Sequence, residues 1–207
     1  MSLDAQTGFA PEGAVASGVL DPGAAASGVR TVGATLWLTG LPSSGKTTIA
    51  NALAARLAER GAAVEILDGD AVRPVLSTEL GYSREDRDLN VARIGWVAQR
   101  LSAHGVVTIA SVVSPYAQAR DGVRAAHRAA GVHFFEIHIA TPVAVCEARD
   151  VKGLYGKQRN GAMLGLTGVD GSYEAPENPE LRLDTSDRTV DGVVDELIAL
   201  LQKERVL

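Results

Sequence analysis

The chain has 207 residues, of which 46% are hydrophobic and 22% charged; its formal net charge is −5 and its only cysteine is Cys146. This length and composition are typical of one globular domain with a core of its own. The negative charge argues against nucleic acid as the main partner, and a lone cysteine excludes an internal disulfide. No run approaches the ~20 apolar residues of a membrane span, and the first residues lack the layout of a secretory signal, so we expect a cytoplasmic protein.

Residues 1–33 differ in composition from the rest of the chain. They are rich in Ala, Gly, Ser and Pro, and glycine recurs at positions 8, 13, 18, 23, 28 and 33. Such a segment buries little apolar surface, which predicts a disordered, low-complexity tail; a repeated turn is the alternative. We therefore place the folded domain at residues 34–207.

Alternating β and α patterns begin after this tail. An apolar run at 35–39 predicts a strand, and the glycine turn after it leads to a helix at 46–60, where Ile49, Leu53 and Leu57 share one face. Further strands are predicted at 63–67, 106–113 and 133–140, and further helices at 83–104, 116–130, 142–149 and 190–202. Near-continuous apolar strands separated by helices predict an α/β fold, a doubly wound, mostly parallel sheet with helices on both faces.

The turn after the first strand carries a phosphate-binding pattern, GxxxxGK[ST], between a strand and a helix. Backbone N–H groups of such a loop converge on a phosphate, although Pro42 has none to offer. We expect Lys46 to neutralise the β- and γ-phosphates and Thr47 to hold Mg²⁺. The predicted ATP-binding residues are Gly40, Leu41, Pro42, Ser43, Ser44, Gly45, Lys46, Thr47 and Thr48. This pattern alone does not distinguish a kinase from a GTPase-like switch or a motor.

Two carboxylates, Asp68 and Asp70, follow the second predicted strand, at the sheet edge where doubly wound folds bind ligands. A kinase acting on a hydroxyl needs a carboxylate to accept or orient its proton, and we assign that role to Asp68. The alternative is that both residues only form a turn around Gly69.

The long helix at 83–104 carries polar residues in line with its apolar stripe. Arg87 and Asn90 each precede a stripe residue by four positions, so they extend the buried face toward the start of the helix. An arginine fork with a nearby amide suits an anionic substrate, whereas the alternative for Arg87 is a salt bridge to Asp86 or Asp88. The stripe itself consists of Val91, Ile94, Ala98 and Leu101.

A glycine-rich stretch at 152–173 shows no helical or strand period and lies beside a basic cluster. We interpret it as a flexible lid whose cations fold over bound phosphates, with a solvated run of charge as the alternative. The cluster consists of Arg149, Lys152, Lys157 and Arg159.

Several ordered motifs, beyond the phosphate loop, resemble those of the adenylyl-sulfate kinases from about residue 33 to the C-terminus. They are LDGDAVR at 67–73, LGYSREDRDLNVARIG at 80–95, SVVSPYAQAR at 111–120, CEARDVKGLYGKQRNG at 146–161 and TGVDGSYEAPENPEL at 167–181. The resemblance implies a kinase that uses ATP and Mg²⁺ to phosphorylate the 3′-hydroxyl of adenosine 5′-phosphosulfate (APS), giving PAPS and ADP. It also implies a homodimer and a functional link to ATP sulfurylase.

The resemblance assigns roles to matching positions. Asp68, Lys46 and Ser114 form the implied catalytic set, and Tyr82 would stack on the adenine of APS. Ser114 is sometimes described in this family as a phosphorylated intermediate; we favour direct in-line transfer with Ser114 as a substrate contact. The implied substrate contacts are Asp70, Arg73, Tyr82, Arg87, Asn90, Val113, Ser114, Lys152, Gly165 and Leu166.

The sequence departs from the family pattern at a few positions. Leu166 and Val112 stand where phenylalanine is usual, and Pro42-Ser43 replaces Ser-Gly. Loss of a stacked aromatic costs ~1–3 kcal/mol, which predicts weaker APS binding. Two alternatives remain, a related kinase with another acceptor, such as a nucleoside or sugar acid, and a non-catalytic PAPS sensor. Retention of Lys46, Thr47 and Asp68 argues against the sensor.

Overall fold

A computed structural model describes residues 32–207, so all but the last two residues of the predicted tail lie outside the described part. The strands are β1 (Ala34–Gly40), β2 (Val64–Asp68), β3 (Val107–Ser111), β4 (His133–Ile139) and β5 (Leu181–Leu183). The helices are α1 (Lys46–Ala58), α2 (Gly69–Leu76), α3 (Arg84–Ala103), α4 (Ala117–Ala129), α5 (Val143–Arg149), α6 (Leu154–Arg159) and α7 (Val190–Lys203).

The strands form one parallel sheet in the order β2-β3-β1-β4-β5. The central strand β1 is buried along its whole length, with Trp37 in register with Ala110 on β3 and Glu136 on β4. The crossover from β1 leads past the position of β3 to β2 at the sheet edge. The crossover from β3 then passes across β1 to β4. This arrangement confirms the predicted doubly wound fold and brings the phosphate loop to the middle of the sheet's carboxyl edge.

Helices cover both faces of the sheet. On one face, the predicted stripe Ile49, Leu53 and Leu57 of α1 is buried together with the apolar side of α7. On the other face, α3 and α4 pack closely, because a Cβ on Gly95 would lie 2.5 Å from Val123. Burial on both faces explains why the strands read as continuous apolar runs.

Ser83 begins α3 as predicted, since its hydroxyl accepts a hydrogen bond from the amide of Asp86. Three elements were not predicted: α2, α6 and β5. The helix α2 follows the carboxyl end of β2 directly, and β5 adds a strand to the sheet beside β4. Within residues 32–207, no helix combines the length and apolar character needed to cross a membrane.

Candidate active site

The phosphate loop between β1 and α1 adopts a backbone that its sequence allows. Gly40 (φ 154°) and Gly45 (φ 102°) have positive φ, and a Cβ on Gly40 would lie 2.5 Å from the carbonyl oxygen of Ile139. Glycine is therefore required at the loop's first position. Ser43 (φ 60°) takes a left-handed conformation as a non-glycine residue, which costs of order 1 kcal/mol of strain.

Two hydroxyls from distant parts of the chain hold this loop from behind. Thr141, after β4, and Thr185, after β5, donate to the carbonyl oxygen of Ser44 at 3.0 Å and 3.1 Å. Arg149 on α5 in turn binds the hydroxyl and carbonyl oxygens of Thr185, both at 2.8 Å. Sequence reasoning missed Thr141 and Thr185 because only the sheet order brings them to the loop.

Lys46 is folded back onto its own loop. Its ammonium donates to the carbonyl oxygens of Gly40 at 2.9 Å and Leu41 at 2.7 Å, and its side chain is buried. Burial disfavours the charged form and lowers the pKa of Lys46 to about 8. A phosphate entering the loop would replace these carbonyl contacts with a stronger, charge-assisted one.

Thr47, near the start of α1, and Asp68, at the end of β2, meet at the carboxyl edge of the sheet. The Thr47 hydroxyl donates to Asp68 Oδ2 at 2.7 Å, while Asp68 Oδ1 accepts from the amide of Asp70 at 3.0 Å and caps α2. The predicted turn role and the predicted cleft position of Asp68 therefore coexist. A donating hydroxyl keeps lone pairs for a cation, and Mg²⁺ prefers such oxygen ligands with phosphates completing its shell, so these residues fit the ion.

A cleft of about 520 Å³ opens in front of the loop. It brings together many of the predicted site residues, namely residues 42–48, Asp68, Asp70, Val113 and Lys152. It is also lined by side chains that were not predicted as site residues, including Ser111, Arg149, Thr185, Arg188 and Thr189. Arg149 appeared in the basic cluster, but Arg188 and Thr189 lie at the start of α7 and showed no motif.

The basic cluster of the glycine-rich stretch divides between the cleft and the surface. Lys152 forms an ion pair with Asp70 across the mouth of the cleft, and both side chains are largely exposed. Arg159 pairs with Glu147 on the surface, and Lys157 is exposed. Of the four cations in the cluster, the structure places Lys152 and Arg149 at the cleft.

Arg87 joins α3 to the glycine-rich stretch, which we call the lid segment (residues 152–173). Its guanidinium donates to the carbonyl oxygen of Tyr82 at 2.9 Å, the hydroxyl of Thr167 at 3.0 Å and the carbonyl oxygen of Gly165 at 3.1 Å. Within residues 32–207 it pairs with neither Asp86 nor Asp88. The alternative of a local salt bridge is therefore wrong for Arg87.

The other predicted contacts on α2 and α3 surround Tyr82, whose side chain is 71% exposed. The Arg73 guanidinium lies 4.4 Å from the centre of the Tyr82 ring, and the Arg87 guanidinium lies 5.6 Å from it. One turn along α3, the buried Asn90 Oδ1 has no hydrogen-bond partner among the described residues. A buried amide oxygen left free is costly unless a ligand satisfies it.

The family is decided by a match along most of the chain. The family model described as adenylylsulphate kinase matches residues 32–184. This chain belongs to the adenylylsulphate kinase family.

Relatives support this membership of the adenylylsulphate kinases. An adenylyl-sulfate kinase of Rippkaea orientalis is 46% identical over 171 residues, covering 83% of this chain and 92% of the relative. A sulfate adenylyltransferase of Neosartorya fischeri is 46% identical over 175 residues, which cover 84% of this chain but 30% of that protein. The solved Mycobacterium tuberculosis APS kinase CysC, in complex with AMPPNP and APS, superposes with a TM-score of 0.80 at 41% identity, covering 83% of this chain and 99% of that one.

Two residues implied by the family resemblance are buried away from the open cleft. Ser114 is 3% exposed; its hydroxyl accepts from Trp37 Nε1 and donates to Thr39 Oγ1, each at 3.0 Å. Leu166 is 6% exposed and packs with Leu41, Cys146 and Tyr155. Leu166 therefore fills core space under the lid segment, and its role as a substrate contact stays a prediction.

Proposed function

We propose that this protein transfers the γ-phosphoryl group of ATP to the 3′-hydroxyl of APS, forming PAPS and ADP. One observation carries the proposal: the carboxylate of Asp68 lies 2.7 Å from Thr47 at the phosphate loop, so a proton acceptor and a phosphate cradle face one cleft. Family membership supports APS as the acceptor, because the M. tuberculosis relative was solved with that compound and an ATP analogue.

The loop residues account for the donor half of the reaction. Backbone amides at the start of α1 and the ammonium of Lys46 bind and orient the phosphates. Mg²⁺, held by the oxygen of Thr47, would neutralise charge that develops on the β- and γ-phosphates. Asp68 accepts a hydrogen bond from the attacking hydroxyl and takes up its proton as the new bond to the γ-phosphorus forms and the bond to the bridging oxygen breaks, which releases ADP.

The α3 residues account for the acceptor half. Arg87 and Asn90 present a cation and an unsatisfied amide oxygen on one side of the helix, and Lys152 lies at the mouth of the cleft. An anionic nucleotide can satisfy all three groups, with the phosphosulfate facing the cations. The exposed ring of Tyr82 is available to stack on the adenine of APS. The Arg73 guanidinium, which lies over this ring, has to move aside when the base binds.

The test is product formation with defined substrates. Purified protein with MgATP and APS should yield PAPS and ADP, resolved by ion-exchange chromatography, and Lys46→Ala should abolish turnover while leaving the fold intact. A panel of nucleosides and sugar acids as acceptors distinguishes a kinase of another specificity. No PAPS at micromolar enzyme would refute the substrate assignment, and signalling or PAPS binding unchanged in Lys46→Ala would favour a sensor.

Metal dependence is a separate prediction of this proposal. Chelation with EDTA should stop turnover, and added Mg²⁺ should restore it. Because Thr47 supplies a lone-pair oxygen, Thr47→Val should raise the Mg²⁺ concentration needed for half-maximal rate. An unchanged requirement in Thr47→Val would remove this hydroxyl from the metal site.

We also infer the partners that the sequence led us to expect. Trp96 and Leu89 on α3 are 66% and 44% exposed beside a groove between α3 and α4, which suits the predicted homodimer. Trp96→Glu should convert the dimer to a monomer, as measured by light scattering; an unchanged mass would contradict this interface.

An ATP sulfurylase, which makes APS from sulfate, should sustain PAPS formation in a coupled assay, and a location in the ATP-rich cytoplasm fits both enzymes.

A further inference from the structure

Arg120 on α4 is a buried cation that the reaction described above does not use. Its side chain is 2% exposed, and its guanidinium donates from three nitrogens to three different segments. The acceptors are Glu136 Oε1 on β4 at 2.6 Å, the carbonyl oxygen of Ser114 at 2.8 Å and the carbonyl oxygen of Glu174 at 2.7 Å. Burying such a charge is tolerable only because all of these partners are in place.

The first carbonyl group belongs to the loop after β3, residues 112–116, which borders the cleft through Val113. Ser114 holds a left-handed backbone (φ 39°) that a non-glycine residue adopts at a cost of order 1 kcal/mol. Trp37 and Thr39 bind its hydroxyl, Thr39 also donates to the carbonyl oxygen of Val113 at 2.7 Å, and Arg120 binds the Ser114 carbonyl. The loop is therefore held in its strained shape from both sides.

The second carbonyl group belongs to the point where the lid segment returns to the domain. Glu174 donates its amide to the carbonyl oxygen of Pro115 at 2.8 Å, and its carboxylate accepts from the amide of Ala117 at 2.8 Å. The preceding residue, Tyr173, places its hydroxyl 3.1 Å from Thr39 Oγ1. The end of the lid segment and the loop after β3 thus share their anchors.

We propose that Arg120 is a positioning residue for phosphoryl transfer, which locks the loop after β3 to the returning end of the lid segment and so sets the acceptor side of the cleft. The inference rests on the proposed function and adds to it a residue that touches no substrate. A displacement of ~1 Å at the reacting groups costs ~10²-fold in rate, so a loosened lock would lower turnover without disturbing the phosphate loop.

Arg124 provides a matched control one turn along α4. It shares the partner Glu136 at 3.2 Å and also pairs with Glu180 at 2.5 Å. Among the described residues it binds neither the Ser114 nor the Glu174 carbonyl oxygen. Arg124→Lys therefore perturbs the same buried carboxylate but leaves the lock in place.

The decisive experiment compares Arg120→Lys with Arg124→Lys. Lysine keeps the charge facing Glu136, but its single nitrogen cannot occupy the three positions from which the guanidinium nitrogens donate. We expect Arg120→Lys to lower kcat/KM for APS by about 10- to 100-fold, with the Kd for AMPPNP, measured by calorimetry, changed by less than about threefold. Amide hydrogen exchange at Ala117 and Glu174, whose amides are hydrogen-bonded across the lock, should rise about tenfold in Arg120→Lys alone.

Equal losses in both variants, or a parallel loss of AMPPNP affinity, would show a structural role only and overturn the proposal. If Arg120→Lys does not fold, Tyr173→Phe removes one hydroxyl at the same anchor and should lower kcat/KM for APS several-fold; unchanged kinetics and exchange in that variant would equally reject it. The wild-type protein separates the two claims, because absence of PAPS there refutes the proposed function while the exchange comparison still decides the lock.

Discussion

Among single residues, Asp68 caps a helix and is also the carboxylate that we propose for the chemistry. One carboxylate oxygen caps α2 through the amide of Asp70, and the other binds the Thr47 hydroxyl in the cleft. Asparagine retains an oxygen for the cap, so Asp68→Asn separates the two roles. The charge is lost, and with it the capacity to accept a proton and the oxygen that accepts from the Thr47 hydroxyl.

We therefore expect Asp68→Asn to lower kcat by ~10²–10⁴-fold while the KM for APS changes little, since the carboxylate acts in the transition state. Steady-state kinetics check this result, with thermal unfolding to confirm that the cap survives. A change confined to KM would contradict the assignment.

Arg87 should act on the acceptor alone. Arg87→Ala removes contacts to Thr167 and to the carbonyl of Gly165. It also removes the cation that we propose for the phosphosulfate. We expect the KM for APS to rise about 10- to 100-fold while the Kd for ATP stays within about twofold. Arg100→Ala, on the exposed side of the same helix, is the control. Comparable losses for both nucleotides would place Arg87 outside the acceptor site.

The lowered pKa of Lys46, about 8 because of burial, predicts a pH effect on ATP binding. In the free protein the lysine loses its proton as pH rises through 8, whereas bound phosphates favour the charged form. The Kd for AMPPNP should therefore rise between pH 7 and pH 9, measured by calorimetry. Lys46→Arg, which stays charged, should bind with a Kd that is flat over this range.

At the scale of elements, strands β1, β3 and β4 were predictable because burial on both faces makes them continuous apolar runs. The helix α2 was not, because it buries no residue and contains Pro74; it forms because Asp68 caps it. The three-residue β5 exists only by pairing with β4, a contact absent from its local sequence. Short elements of this kind depend on tertiary partners.

The helix α6 lies inside a glycine-rich stretch without period, yet two local groups explain it. The Asp150 carboxylate accepts from the amides of Tyr155 and Gly156 at 3.1 Å and 2.9 Å, which caps the helix. Tyr155 is buried and donates its hydroxyl to the carbonyl oxygen of Pro42 at 3.1 Å, beside the phosphate loop. Part of the predicted lid is thus ordered against the phosphate loop.

The turn of the lid segment has a comparable clamp, which can be tested. The Asp170 carboxylate accepts from the amides of Gly165 at 2.8 Å and Leu166 at 2.7 Å. Asp170→Ala should loosen the turn and so displace the Gly165 carbonyl group that Arg87 binds. We expect kcat/KM for APS to fall about tenfold, with a small change in melting temperature. Asp187→Ala, at another exposed site, controls for loss of charge. Equal activity in the two variants would dismiss the clamp.

Across the whole molecule, hydrophobic periodicity correctly predicted a sheet covered by helices on both faces, with the phosphate loop at its carboxyl edge, because this periodicity reports burial. It could not show that Thr141 and Thr185, from two separate segments, converge on one loop, or that Arg188 lines the cleft in front of it. Such convergence follows from strand order, which no local pattern contains. The motifs of the acceptor side were recognisable by resemblance, and two of them contain Arg120 and Glu174, but no local pattern showed that these two residues contact each other.

Stability of the whole fold should fall in acid through His138. Burial, with Arg182 and Arg120 nearby, lowers its pKa from 6.5 to about 4. Between pH 6.5 and pH 4, His138 is protonated in the unfolded chain but neutral in the folded chain. The free energy of unfolding therefore decreases as the pH falls through this range, by about 2 kcal/mol at pH 5. Urea unfolding of His138→Phe should show that much less loss between pH 7.5 and pH 5. His104→Gln is the control and should lose as much stability as the wild type. If His138→Phe also loses as much, His138 is excluded as the cause.

The burial of Ser114 has a stereochemical consequence. A hydroxyl enclosed between Trp37 and Thr39 is poorly placed to accept a phosphoryl group, so we expect the group to move once, from donor to acceptor. A single in-line displacement inverts configuration at phosphorus, while two successive ones retain it. ATP made chiral at its γ-phosphorus with oxygen isotopes should therefore give a 3′-phosphate of inverted handedness, and retention would mean that a covalent enzyme intermediate exists after all.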